Sequence, residues 1–321
     1  MNLQTKIKLV KQSKNLIDYN SDILLIGSCF SENIGDKLEY FKFQNIQNPF
    51  GILFQPKAIE NLVSNAVEGK VYSDTDVFFN NEQWQCFDAH SKLSSTSKDN
   101  IIQQLNTQIK VTASKLKTAS HIIITLGTAW VYRDVKTGHI VANCHKVSQK
   151  QFKKELLSIN DILNSLHKIS EIIKSVNSKV SVIFTVSPVR HLKDGVVENM
   201  QSKAHLISGI HEFLNQKTSI EKKQSHYFPS YEIMMDELRD YRFYNDDMIH
   251  PSSLAINYIW NRFKSVWLSE TCDKTMDAIE GIQRDMAHKP FNPNSTANQY
   301  FLQKLETKKQ SISNQFPHIV F

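Results

Sequence analysis

Three short runs in this chain, residues 23–26, 121–126 and 180–186, are apolar at nearly every position, and a weaker one covers 43–46. Between them lie long stretches whose apolar residues recur at helical spacing, over 56–67, 101–116, 159–176 and 200–214. A strand that is apolar throughout must be covered on both faces, and parallel neighbours need a crossover long enough to hold a helix. The alternation therefore predicts βαβ units and an α/β fold of three layers, with a mostly parallel sheet and helices on both faces. Ligands of such sheets bind outside the carboxyl ends of the strands. Here those ends read Gly27-Ser28-Cys29, Gly127-Thr128 and Ser187-Pro188, three strand tips expected on one rim.

The first tip carries the strongest chemical signal. A glycine after a buried strand permits a tight turn, and the turn delivers two potential nucleophiles, Ser28 and Cys29. If the chain is helical from Ser31 onward, the free N–H groups and positive dipole end of that helix face whatever the nucleophile attacks. A second signal is Asp247-Met248-Ile249-His250. This spacing lets a carboxylate hold one imidazole nitrogen while the other faces a nucleophile, the arrangement of base and orienting group that nucleophilic hydrolases use. Ser252 or Ser253 then caps a helix whose apolar residues include Leu254, Tyr258, Phe263 and Trp267. Oxyanion donors are sought at the backbone N–H of the nucleophile, the N–H of Gly51, and the side chains of Asn48 and Thr128. Arg190, directly after the 180–186 run, suits an anionic substrate group, and His90, His145 and His191 stand in polar loops as candidate substrate contacts.

Taken together, Gly27-Ser28-Cys29-Phe30-Ser31 and the late Asp-x-x-His resemble the SGNH/GDSL hydrolase pattern and, more closely, the GSCFA-domain family, with Ser31 where that family's name has Ala. Further blocks carry the resemblance: Asn48-Pro49-Phe50-Gly51, the stretch from Thr125 to Arg133, Ala142-Asn143-Cys144-His145-Lys146, Ser187-Pro188-Val189-Arg190-His191 and Asp240-Tyr241-Arg242-Phe243-Tyr244. They span roughly residues 24–260, and the tail segment 288–293 is similar to bacterial members. The resemblance implies an SGNH/flavodoxin-like fold and an acyl-ester hydrolase or acyltransferase. Aligning Gly27 with the glycine of Gly-Asp-Ser places Cys29 in the nucleophile's register and Ser28 in that of the neighbouring acid. Cys29 is thus preferred on register and intrinsic nucleophilicity, with Ser28 as its rival. The SGNH block that supplies an oxyanion asparagine is replaced by Gly127-Thr128-Ala129-Trp130. A catalytically degenerate module that binds a carbohydrate or metabolite on the same fold is the alternative that this departure supports.

Other classes fit less well. Cys86 with His90 and Cys144 with His145 offer soft and imidazole ligands, but lack the paired spacing of a zinc site, so no metal and no cofactor is expected. A net charge of +6 over 321 residues comes largely from scattered lysines, which argues against nucleic acid as a partner. No apolar run approaches 18 residues, the start lacks a signal-peptide core and the four cysteines have no paired spacing, so a cytoplasmic location away from membranes is expected. The substrate expected is a small-molecule or saccharide acyl ester.

Residues 1–285 are expected to form the main domain, with insertions around 50–100 and 131–150 that roof the rim. From 286 the chain turns polar and rich in Pro and Asn, then ends on Phe316-Pro317-His318-Ile319-Val320-Phe321. This extension is expected to wrap the domain or dock on a partner, a second copy of the chain among the candidates.

Overall fold

A computed structural model describes residues 4–216 and 224–321. Its centre is a five-stranded, wholly parallel sheet built from β1 (Asp22–Gly27), β2 (Gln44–Gln47), β5 (His121–Leu126), β9 (Ser181–Val186) and β10 (Ser225–Phe228). Their order is β2-β1-β5-β9-β10. In chain order these are the first to fifth core strands, arranged 2-1-3-4-5, the flavodoxin-like winding whose direction reverses between β1 and β5.

The period-two geometry of a strand divides each apolar run between two cores. Leu24 and Ile26 of β1, with Ile122 and Ile124 of β5, face α2 (Pro56–Glu68), α3 (Lys98–Thr118), α4 (Ile159–Val176) and α5 (Val196–Asn215). Ile23 and Leu25, with Ile123 and Ile183, face α1 (Cys29–Tyr40), α7 (Ser253–Trp267) and α8 (Asp273–Ala287). The three-layer α/β architecture expected from the alternation is therefore present. Among the described residues, no helix is long and apolar enough to cross a membrane.

The connections are richer than the periodicity suggested. After β2 the chain adds a hairpin, β3 (Phe78–Asn80) and β4 (Gln83–Gln85). After β5 it forms a separate antiparallel sheet of β6 (Trp130–Asp134), β7 (Ile140–Val141) and β8 (Phe152–Leu156). The edge strand β10, Ser-His-Tyr-Phe, escapes a search for apolar runs because it is short and half polar. Beyond 286 the tail contains a 20-residue helix, α9 (Thr296–Gln315), begun by a Ser295 cap. With only Leu305 and Ile312 buried along it, α9 has too thin an apolar stripe to announce itself. It packs on α8, and Leu305, Ile312 and Ile319 join the second core.

One feature of that second core bears on the rim. The short helix α6 (Ser230–Glu232) continues into a π-turn, Ile233–Glu237, whose last residue has a fully buried carboxylate side chain. Glu237 accepts hydrogen bonds from the Ile7 N–H (2.7 Å), the Tyr258 hydroxyl (2.6 Å) and the Arg262 guanidinium (3.1 Å). These bonds tie the segment before the Asp247 loop to α7 and to the N-terminal segment.

The tip of β1 is the tightest point of the sheet. Gly27 has φ of +141°, and a Cβ there would stand 2.1 Å from the Thr125 carbonyl oxygen. Gly27→Ala combines a forbidden backbone conformation with a clash against backbone that cannot retreat. It is expected to destabilise the protein by about 3 kcal/mol or more, read as a fall in the denaturant midpoint without a change in slope.

Candidate functional site

The turn after β1 is fixed by backbone bonds on every side. The Ser28 N–H donates to Thr125 O (3.0 Å), the Leu53 N–H donates to Gly27 O (2.9 Å), and the Gly27 N–H donates to Asn48 Oδ1 (2.9 Å). Ser28 is the N-cap of α1, and its hydroxyl accepts the Phe30 N–H at 3.3 Å. It is wholly buried, whereas Cys29, the first residue of the helix, is half-buried and reachable. Burial pushes the Cys29 thiol up and Glu32, one helical turn on, adds to this; Lys203 and the N–H groups of Cys29 and Phe30 oppose them. The balance lies on the raised side, so at neutral pH the thiol needs a base to give up its proton.

The Asp247 loop brings a carboxylate and an imidazole together. Asp247 Oδ1 accepts the N–H groups of Ile249 (2.9 Å) and His250 (3.0 Å), while Oδ2 meets His250 Nδ1 at 2.6 Å. The backbone bond from His250 and then its ring hold the Asp247 carboxyl at about 2, so it stays ionised. His250 Nε2 is left for chemistry. The loop closes on itself through Asn245 N–H to His250 O (2.8 Å) and Ser252 N–H to Phe243 O (2.8 Å), and Ser252 caps α7. The pair is about half exposed, and in this structure the imidazole does not hydrogen-bond to the Cys29 sulfur.

The segment after β9 lies between these two elements. Arg190 donates its N–H to Ile249 O and its guanidinium to Met248 O, both at 3.1 Å, and stacks over Tyr244 at 5.5 Å. It thus pins the Asp247 loop from the sheet side. The next residue, His191, turns the other way: a methyl group on Gly127 would lie 3.1 Å from His191 Nε2 and 3.2 Å from Ser28 Cβ. His191 Nε2 is buried and has no hydrogen-bond partner among the described residues. Burial drives this imidazole down to about 3, and the positive charges of Lys203 and His250 push the same way. His191 therefore feels the charge of His250 and shares with Ser28 the surface of Gly127.

Asn48 offers a second orphan donor. It ends β2 in a left-handed conformation (φ +42°), its Oδ1 is committed to Gly27, and its buried Nδ2 finds no partner among the described residues. Gly51 has its N–H committed to Asn48 O at 2.7 Å, and its missing Cβ makes room for His90. His90 itself caps a short turn through Nδ1, beside the Lys92–Glu32 ion pair (2.6 Å). The Thr128 hydroxyl pairs with Ser202 (3.0 Å) and accepts the Trp130 N–H (3.1 Å), and its own N–H bonds to Phe54 O (3.0 Å). His145 is buried, with Nε2 bonded to Cys86 O at 2.7 Å and its ring against Phe78 and Phe87. Ser28, Cys29, Asn48, Gly51 and His90 thus gather at the β1–β2 side, and Arg190, Asp247 and His250 at the β9 side, while Thr128 and His145 are held in structural bonds. Among the described residues no three His, Cys, Asp or Glu side chains converge as for a metal.

Two contributors, Lys203 and Glu32, were not singled out from sequence. A lysine in a helix reads as solvated, and only the fold buries this one; Glu32 at three residues beyond Cys29 was legible from helical spacing.

His191 also generates a pH signature. Its ordinary value of 6.5 is lowered to about 3 in the fold, so between those limits the unfolded chain binds the extra proton. Stability present above pH 6.5 is therefore lost as the pH falls toward 3. His191→Phe, which cannot titrate, is expected to show a shallower loss across that window than wild type when denaturant melts are compared pH by pH.

Comparison with known proteins places the chain. No curated protein matches it. Among solved structures it is similar to an acetyl esterase mutant with acetate ion, at 11% identity and a TM-score of 0.38, covering 82% of this chain and 99% of that one. It is also similar to a carbohydrate esterase family 3 protein from Talaromyces cellulolyticus, at 12% identity and a TM-score of 0.38, covering 81% of this chain and 99% of that one. The model of the GSCFA family matches residues 22–263, and that of the GSCFA domain protein C-terminal domain matches residues 279–321. With its sheet, the Ser28–Cys29 turn and the Asp247 loop all inside the first match, this chain belongs to the GSCFA family.

Proposed function

We propose that the protein is an acyl-ester hydrolase or acyltransferase that uses Cys29 as nucleophile, His250 as general base and acid, and Asp247 as the group that orients the imidazole. The observation that carries this reading is the Asp247–His250 contact at 2.6 Å in a loop pinned by Arg190, the residue before the histidine that abuts the Ser28–Cys29 turn. Cys29 is favoured over Ser28 because Ser28 is wholly buried as a helix cap, while Cys29 is reachable at the helix N-terminus.

In the acylation step His250 Nε2 takes the thiol proton as the sulfur bonds to the acyl carbon, and the carbonyl electron pair moves onto oxygen. The leaving group departs with the proton carried by His250. Water or an acceptor alcohol then attacks the acyl carbon while giving its proton to His250, the carbon–sulfur bond breaks, and the departing sulfur takes that proton back to regenerate the thiol. Two orphan donors support oxyanion binding. Asn48 Nδ2 stands at the β2 side of the turn, and His191 Nε2 in its N–H tautomer stands at the β9 side, both held before any charge develops. A cleft of about 240 Å³, floored by Met200, Tyr231, Met234 and Met235, opens beside Arg190 and suits the apolar part of an acyl or leaving group. A small-molecule or saccharide acyl ester is the proposed substrate, and no cofactor is needed for this chemistry.

The test is turnover of a panel of aryl esters, thioesters and acetylated sugars. Cys29→Ala is expected to abolish it, and His250→Ala to lower kcat by about 10²–10⁴-fold. Ser28→Ala should cost about 1 kcal/mol of stability through the lost cap while leaving turnover within a few-fold. Asn48→Asp keeps the acceptor for Gly27 but removes the donor, and should lower kcat by about 10²-fold or more. Loss of turnover in Ser28→Ala with retention in Cys29→Ala would hand the nucleophile's role to Ser28; a folded protein inert on the whole panel would leave the binding module.

A further inference from the structure

Behind the nucleophile turn lies a buried cation. Lys203 projects from α5 and is only 1% exposed. Its Nζ donates to Gly127 O at 2.7 Å and Ser187 O at 2.8 Å, the carbonyls just past the ends of β5 and β9, and the Tyr231 ring lies 5.5 Å away. Gly127 is the residue against which Ser28 Cβ and His191 Nε2 both pack. The ammonium therefore sits one residue's thickness from the nucleophile turn, on the core side.

An ammonium taken out of water is strongly disfavoured unless an anion accompanies it. Two carbonyl dipoles offset part of that cost. Among the described residues no carboxylate forms an ion pair with Lys203, and the acid that interacts with it is Cys29. The interaction is mutual, since Lys203 favours the Cys29 thiolate. Burial brings the ammonium down to about 7 although Cys29 opposes the shift, so its charge is held only in part at neutral pH. Glu32 on α1 works against the thiolate, and His191, between Lys203 and His250, is neutral. Positive charge behind the sulfur is thus supplied by Lys203.

We propose that Lys203 is the counter-cation of the Cys29 site, a positioning residue whose ammonium, held by Gly127 O and Ser187 O, stabilises negative charge formed at the sulfur. Lys203 acts in its protonated form and is not the proton acceptor; the thiol proton leaves to His250 or to solvent base. A purely structural Lys203 would stitch the ends of β5 and β9 together without influencing the thiol. The proposal rests on the reading of Cys29 as nucleophile, but its test needs no substrate.

The full chain carrying Cys144→Ser, which removes the other partly exposed thiol, is alkylated with iodoacetamide across a pH series, with and without Lys203→Met. Loss of the cation is expected to raise the Cys29 titration midpoint and slow alkylation at neutral pH by about three-fold or more. The reciprocal measurement follows Lys203 by NMR of selectively labelled lysine, where Cys29→Ser is expected to lower its midpoint. That arm decides the matter if Lys203→Met fails to fold, because Cys29→Ser exchanges one atom of a half-buried side chain for a smaller one. An unchanged thiol profile in folded Lys203→Met, or a Lys203 midpoint indifferent to Cys29→Ser, overturns the proposal. A shifted thiol in a protein inert on every ester would sink the hydrolase reading alone.

Discussion

The approach of Gly27 to Thr125 organises everything above it. Because no Cβ intervenes, β1 turns directly against β5 at the point where the sheet reverses its winding, and the Ser28 N–H and Leu53 N–H lock the turn from both sides. The helix that starts at Cys29 then has its N-terminal N–H groups aimed outward from the rim. Any residue larger than glycine would push α1 off the sheet, and the sulfur with it. Gly127, the matching position after β5, keeps the other wall of the turn thin enough for Ser28 and His191 to meet it.

Around that turn, electrostatics are arranged by depth. Deep in the fold Lys203 places a positive charge behind the strand ends; at mid-depth His191 is kept neutral by burial; at the surface His250 stays wet and paired with an ionised Asp247. Burial makes Cys29 a poor acid, Glu32 adds to this and Lys203 opposes it, and the balance leaves the thiol protonated at neutral pH. A protonated thiol is a weak nucleophile, so the proposed reaction requires a base to take its proton.

Binding geometry and positional bonds divide the polar residues of the rim into two sorts. Thr128 has its hydroxyl and N–H bound into the scaffold, His145 has its Nε2 bound there, and Gly51 has its N–H closed in a turn. Asn48 Nδ2 and His191 Nε2 are buried without a partner among the described residues, as are His145 Nδ1 and Ser31 Oγ. Buried polar atoms are normally satisfied, and the orphaned atoms of Asn48 and His191 are the ones on which the proposed oxyanion site draws.

Much of this was legible in the chain itself. The apolar runs ending on Gly27, Gly127 and Ser187 specify buried parallel strands, the glycine specifies a tight turn, and Asp247 three residues before His250 specifies a local hydrogen bond, because each depends only on neighbours in sequence. The edge strand β10 and the helix α9 were not legible, since each buries too few apolar side chains to leave a period. The commitment of Gly51 and Thr128 to scaffold bonds, the orphaned Nδ2 of Asn48 and the burial of Lys203 were decided only by tertiary structure. Those properties belong to pairs of residues brought together from distant segments, and a polar side chain's partners are set by what the fold packs around it rather than by its neighbours along the chain.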